Sequence, residues 1–105
     1  MIAQCEIWWA DLPDPVGTRP VLVLSRDEGI RVRLYVTVAP VTTRIRGIAT
    51  EVPLGPDDGM PRPCVADLDS LQTVRKPLLR ERAAVLSPEK MAAVERAIHF
   101  ALDME

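Results

Sequence analysis

A chain of 105 residues with 48% apolar side chains supports one domain, and at that length only about two-thirds of the unfolded surface is buried on folding, so self-association would help it. No run nears the roughly 20 apolar residues of a membrane span, and residues 1–12 lack the basic start and cleavage site of a signal peptide, so a cytoplasmic location is expected. A net charge of −2 excludes a broad basic field that coats nucleic acid, although eleven of the thirteen basic residues are Arg, whose planar fork suits phosphate.

In chain order, EIWWADL over residues 6–12 predicts a strand from its aromatic and branched side chains, and PDPVG after it is dense in turn residues. RPVLVLS carries Val21, Leu22, Val23 and Leu24 without interruption, which suits a strand covered on both faces. RVRLYVTVAPV sets Arg31, Arg33, Tyr35 and Thr37 against Val32, Leu34, Val36 and Val38, a period of two that predicts a strand with one apolar and one polar face. Residues 43–63 then loosen into a short strand, IATEVPL, and a proline- and glycine-rich loop, GPDDGMPRP. CVADLDSLQTV predicts one or two further short strands, while LLRERAAVL fits a strand or a helical turn equally. SPEKMAAVERAIHFALDM predicts a terminal helix, with Ser87 as N-cap, Pro88 at the first helical position and Glu89 beside the positive helix end. Its apolar stripe is Met91, Val94, Ile98, Ala101 and Leu102. Short strands in this number, closed by one helix, point to a small, strongly bent sheet or partly open barrel.

The chemistry narrows by elimination. Arg19, Arg26, Arg31, Arg33, Arg44 and Arg46 fall early in the chain and most acidic residues later, so one cationic face is compatible with the negative total. A single histidine, His99, rules out a paired-histidine nuclease within one chain. Cys5 and Cys64 are too few for a disulfide framework or a structural zinc site and read as reduced, small apolar residues. Asp57, Asp58, Asp67 and Asp69 read as solvated loop carboxylates rather than metal ligands, and no nucleotide-binding, zincin or serine-hydrolase run occurs; neither metal nor cofactor is expected. What remains is Arg19 at the start of one strand, with Thr42 and Thr43 at the end of another. Such a set could stabilise the charged phosphorane of RNA, whose own 2′-hydroxyl is the nucleophile. Taken locally, the same residues also fit a surface arginine and a strand-end turn.

Over nearly its full length the sequence resembles the MazF/PemK family of toxin endoribonucleases. EIWWADL is similar to the family's first strand, which usually opens with Gly and an acidic residue and ends in Asp-Leu or Asp-Phe. GTRPVLVLSRD resembles its Arg-Pro run, VTVAPVTTRIRG its next signature, and DGMPRPCVADLDSLQTV, more loosely, the later Asp-Gln segment. The resemblance implies a mainly β fold with accessory helices, an SH3-like curved barrel with a C-terminal helix, spanning residues 1–105 as one toxin domain and assembled as a homodimer. It implies metal-independent cleavage of single-stranded RNA (mRNA, rRNA or tRNA) at short motifs, leaving a 2′,3′-cyclic phosphate and a 5′-hydroxyl. Arg19 and Thr42 match the catalytic Arg and Thr, with Thr18, Pro20, Thr43, Arg44 and Arg46 as RNA contacts. Arg19 is assigned to charge stabilisation, because a guanidinium gives up its proton only above roughly pH 12. The expected protein partner is a cognate antitoxin with a disordered acidic tail, suited to an arginine-lined groove.

Three departures from the pattern stand out. Only PDPVGT separates Leu12 from Arg19, where the family often has a longer loop that helps admit RNA; Cys5 replaces the usual Gly; and Asp69-Ser70 replaces Asp-Gln. Two alternative readings of this chain keep the same fold: a catalytically inactive RNA-binding regulator and a gyrase-inhibiting toxin. For a dimer surface the candidates are the apolar face of the terminal helix and the first strand around Trp8 and Trp9, although large aromatics in so small a chain are more often core.

Overall fold

The computed structural model describes residues 1–104. Seven antiparallel strands form the body: β1 (Glu6–Leu12), β2 (Gly17–Val23), β3 (Tyr35–Thr42), β4 (Glu51–Leu54), β5 (Cys64–Asp67), β6 (Gln72–Arg75) and β7 (Leu79–Val85). Two helices accompany them, α1 (Asp27–Val32) and α2 (Pro88–Ala101). The strand order is β4-β5-β3-β2-β1-β7, with β6 also on β3. One edge of β3 is therefore shared: its first half, Tyr35–Val38, pairs with β6, and its end, Val41–Thr42, pairs with β5. That branching bends the sheet. β7 bends it further, since its register against β1 shifts twice, between Ile7 and Trp8 and again between Trp9 and Ala10. The result is the mainly β, strongly curved architecture that the resemblance implied, with a C-terminal helix.

The unbroken apolar run of β2 is buried on both sides, as its pattern predicted. Leu22 belongs to a core with Ile7, Ala39, Val41, Val52, Leu54 and Val94, roofed by α2. Val21 and Val23 belong to a second core with Ala10, Ile30, Val36, Val38 and Leu79, roofed by α1. Strict alternation along β3 sends Val36 and Val38 to one core and Ala39 and Val41 to the other.

Two expectations need correction, and one reading left open is decided. The strand predicted from Arg31 begins only at Tyr35, because Arg31 and Val32 close α1, and Val32 and Leu34 are 69% and 50% exposed rather than part of an apolar face. The ambiguous LLRERAAVL is a strand: it completes β1's free edge, and that pairing decides what its own periodicity could not. In α2 the buried stripe runs through Val94 and Ala97, with Met91, Ile98 and Ala101 packed beside it, while Leu102 lies past the last helical turn and is 53% exposed. The helix starts as predicted: the Ser87 hydroxyl accepts from the Lys90 N–H at 3.1 Å, with Pro88 in the first turn.

Candidate functional site

A cleft of about 630 Å³ opens where β2 and β3 part. The two strands pair only at Val21–Pro40, Leu22–Ala39 and Val23–Val38. Neither Pro20 nor Pro40 has an N–H to extend that ladder. Continuing the register past the last pair sets Arg19 opposite Thr42. Both line the cleft, together with Thr18, Pro20 and Thr43.

Arg19 is exposed, and its guanidinium makes one hydrogen bond, from Nη1 to the carbonyl of its neighbour Thr18 at 3.1 Å. It has no carboxylate partner among the described residues, in contrast to Arg31, Arg80 and Arg82, which pair with Glu28, Asp11 and Glu6. Most of its fork is left for an anion. Thr42 is half-buried, and its Oγ1 accepts the Arg44 N–H at 3.1 Å. That bond uses one lone pair, and the hydroxyl hydrogen remains to donate to a ligand. Thr18 differs: its hydroxyl donates to Asp11 at 3.0 Å, and Arg80 holds the other Asp11 oxygen.

Arg44 and Arg46 are not brought into the cleft. They stand exposed on the connection to β4, whose backbone is drawn back by Glu51, the carboxylate accepting from the Arg46 and Gly47 N–H groups at 2.9 Å each. The far wall comes instead from Met60, Pro61 and Arg62, and from Cys64 at the start of β5. Trp9 and Leu12 of β1 line the near end. Arg62 and Trp9 were not singled out as ligand contacts from the sequence. The only local signal for Arg62 was its place between two prolines, which holds its backbone extended; for Trp9 nothing local separated it from Trp8.

The loop carboxylates hold turns. Asp58 accepts from the Gly55 N–H, Asp67 from the Asp69 N–H and the Ser70 hydroxyl, and Asp69 from the Thr50 hydroxyl. Among the described residues no three His, Cys, Asp or Glu side chains are grouped to hold a metal ion, and no helix is long and apolar enough to cross a membrane. Cys5 and Cys64 are free thiols, and burial pushes both up from the ordinary thiol value, with Asp27 and Glu6 adding to it at Cys5 and Asp58 at Cys64.

Arg19 and Thr42 thus line one cleft of a small curved sheet, each with hydrogen-bonding donors to spare among the described residues. Residues 3–102 match the family model of PemK-like, MazF-like toxins of type II toxin-antitoxin systems, and the chain belongs to that family. It is 41% identical over 102 residues to the probable endoribonuclease MazF5 of Mycobacterium tuberculosis, covering 96% of this chain and 93% of the relative. Among solved structures it is similar to the Mycobacterium tuberculosis toxin MazF-mt6, with a TM-score of 0.88 and 36% identity over 95% of this chain and 98% of that one. It also matches an endoribonuclease in complex with its cognate antitoxin from a mycobacterial species, with a TM-score of 0.90 and 26% identity over 100% and 98% of the two chains.

Proposed function

We propose that residues 1–105 form the toxin domain of a toxin-antitoxin pair and that this toxin is a metal-independent endoribonuclease acting on single-stranded RNA in the cytoplasm. One observation carries the reading: Arg19 and Thr42, on adjacent strands, line one cleft with most of the Arg19 fork and the Thr42 hydroxyl hydrogen unspent. RNA brings its nucleophile with it, so the protein's work is positioning and charge stabilisation. As the 2′-oxygen bonds to phosphorus, negative charge builds on the phosphoryl oxygens; the Arg19 fork and the Thr42 hydroxyl are the donors aimed at it. The 2′-hydroxyl gives up its proton as its oxygen bonds to phosphorus, the P–O5′ bond breaks and the departing 5′-oxygen takes up a proton, which leaves a 2′,3′-cyclic phosphate and a 5′-hydroxyl. Pro20 and Thr43 line the cleft beside the Arg19–Thr42 pair, and the exposed Arg44 and Arg46 are the charges this reading offers to RNA outside the cleft.

The relatives named as endoribonucleases support cleavage over an RNA-binding regulator or a gyrase inhibitor. An acidic, disordered antitoxin tail suits the same cationic cleft, and the active form is a homodimer. The test is cutting of mixed RNA in excess chelator by wild type, Arg19→Ala and Arg19→Lys. Wild type is expected to yield cyclic-phosphate ends, with a loss of about a hundredfold or more in Arg19→Ala, the scale of removing one oxyanion donor. Arg19→Lys, which keeps the charge but not the fork, should recover only part. Equal cutting by wild type and Arg19→Ala would overturn the assignment.

A further inference from the structure

Among the cleft residues to which the nuclease reading gives no task, Trp9 and Arg62 carry the groups best suited to nucleic acid, an aromatic ring and a guanidinium. Trp9 is the one aromatic ring among the residues lining it. The neighbouring Trp8 shows what a structural tryptophan looks like in this chain: it packs against the second core and its indole N–H donates to Glu6 at 2.9 Å. Trp9 packs with neither core, is half-buried, and its indole N–H has no partner among the described residues. Arg62, exposed at the opposite wall, likewise has no carboxylate partner among them.

The order of these groups follows the order of the strands. Trp9 stands on β1 opposite Pro20, Arg19 on β2, Thr42 on β3, and Arg62 on the loop that leads into β5, the next strand. Trp9 shares its register face with Pro20 and Arg19 shares its own with Ala10, yet Trp9, Arg19, Thr42 and Arg62 all line the one cleft, so along the strand order Trp9 and Arg62 stand at the two ends of the row with Arg19 and Thr42 between them. Resting on the nuclease reading, we propose that single-stranded RNA crosses the strands, with Trp9 stacking the base on one side of the scissile phosphate and Arg62 holding the phosphate on the other. An unstacked base offers its face to an aromatic ring in any single strand, and a duplex does not.

The experiment first maps a cut site on mixed RNA and then uses an oligonucleotide carrying a 2′-deoxy sugar at that position, which binds but cannot be cut. Trp9→Leu and Trp9→Ala are expected to weaken binding by roughly fivefold to 150-fold, while Trp9→Phe retains most of it. Removing the base beside the cut should cost wild type a similar factor and Trp9→Leu nothing further. Arg62→Gln should lower the slope of log affinity against log salt by about 0.7. Trp9→Leu binding as tightly as wild type would overturn the proposal, and so would base removal that weakens Trp9→Leu as much as wild type at every position. A general loss of structure gives that last, additive result, so it counts against the proposal too. If wild type cuts RNA and these variants behave as wild type, the nuclease reading stands and only the Trp9–Arg62 proposal fails. Wild type that neither cuts nor binds RNA removes both.

Discussion

At Cys5 the backbone adopts φ = 78°, the left-handed region where a Cβ is crowded. Hydrogen bonds on both sides hold it there: its N–H donates to the Val23 carbonyl at 3.1 Å, and its own carbonyl accepts from Leu86 at 2.9 Å. This geometry gives the physical reason why a glycine is usual before the first acidic residue in chains of this kind. Cys5→Gly should relieve about 1–2 kcal/mol of strain against about 0.5–1 kcal/mol of added freedom in the unfolded chain. A net gain of up to about 1.5 kcal/mol is expected, read as a higher urea midpoint; a lower midpoint would show that the half-buried thiol contributes more than the strain costs.

The next residue, Glu6, is buried at 7% exposure and accepts from the Ala3 N–H at 2.8 Å, the Trp8 indole at 2.9 Å and Arg82 at 3.1 Å. Burial alone raises its carboxyl pKa, but these hydrogen bonds and the Arg82 charge outweigh it and hold the group below the usual carboxylate value. The unfolded chain therefore binds this proton more readily than the folded one. The stability contributed is fully present above the unfolded pKa of about 4.3 and is lost as pH falls through the lower folded value. Stability measured by denaturant titration should drop over that acid range in wild type, and Glu6→Gln should flatten the drop while being less stable at neutral pH.

Among the elements, α2 is the one whose start, cap and buried face were most legible. Serine, proline and glutamate at its beginning act within one turn, so the reading needed no distant contact. Ser87→Ala should cost about 1 kcal/mol, measured by thermal or urea unfolding, because the Lys90 N–H loses its acceptor and α2 roofs the core at Val94 and Ala97. No loss would mean that water serves the helix end equally well. The short α1 went unread for the converse reason. Six residues are fewer than helical periodicity needs, and Gly29 lies within them, though Asp27 and Glu28 at its start and the Glu28–Arg31 pair were available signals. Alternation through Arg31 to Leu34 imitated a strand there because a period of two over four residues carries little information.

For the molecule as a whole, the net charge of −2 conceals a division of the arginines. Arg31, Arg80 and Arg82 are spent on carboxylates of the same chain, while Arg19 and Arg62 face the cleft. The proposed homodimer also belongs to this scale. Neither surface first considered for it stands wholly free: the apolar stripe of α2 is seated on the sheet, Trp8 on the second core, and Trp9 in the cleft. A separate apolar groove remains between the N-terminus and α1, lined by Met1, Ile2, Trp8, Leu34 and Leu79, in a chain too short to bury all its apolar surface. Sedimentation equilibrium is expected to return twice the 11.6 kDa chain mass, and a concentration-independent monomer would refute the dimer.

The sequence by itself determined what short-range physics controls. It placed most of the strands, the capped terminal helix and the doubly buried β2, and through its resemblance it singled out Arg19 and Thr42. Periodicity, turn residues and caps act within a few positions, so they can be read from neighbours alone. The tertiary structure decided what register and branching control. By ending the β2–β3 ladder at Val21 and Pro40, it opened the cleft and brought Arg19 and Thr42 to line it together. It brought Trp9 and Arg62 into that cleft and left Arg44 and Arg46 outside it. Those placements depend on which distant strands pair and where a pairing ends, and no local pattern of residues encodes that choice.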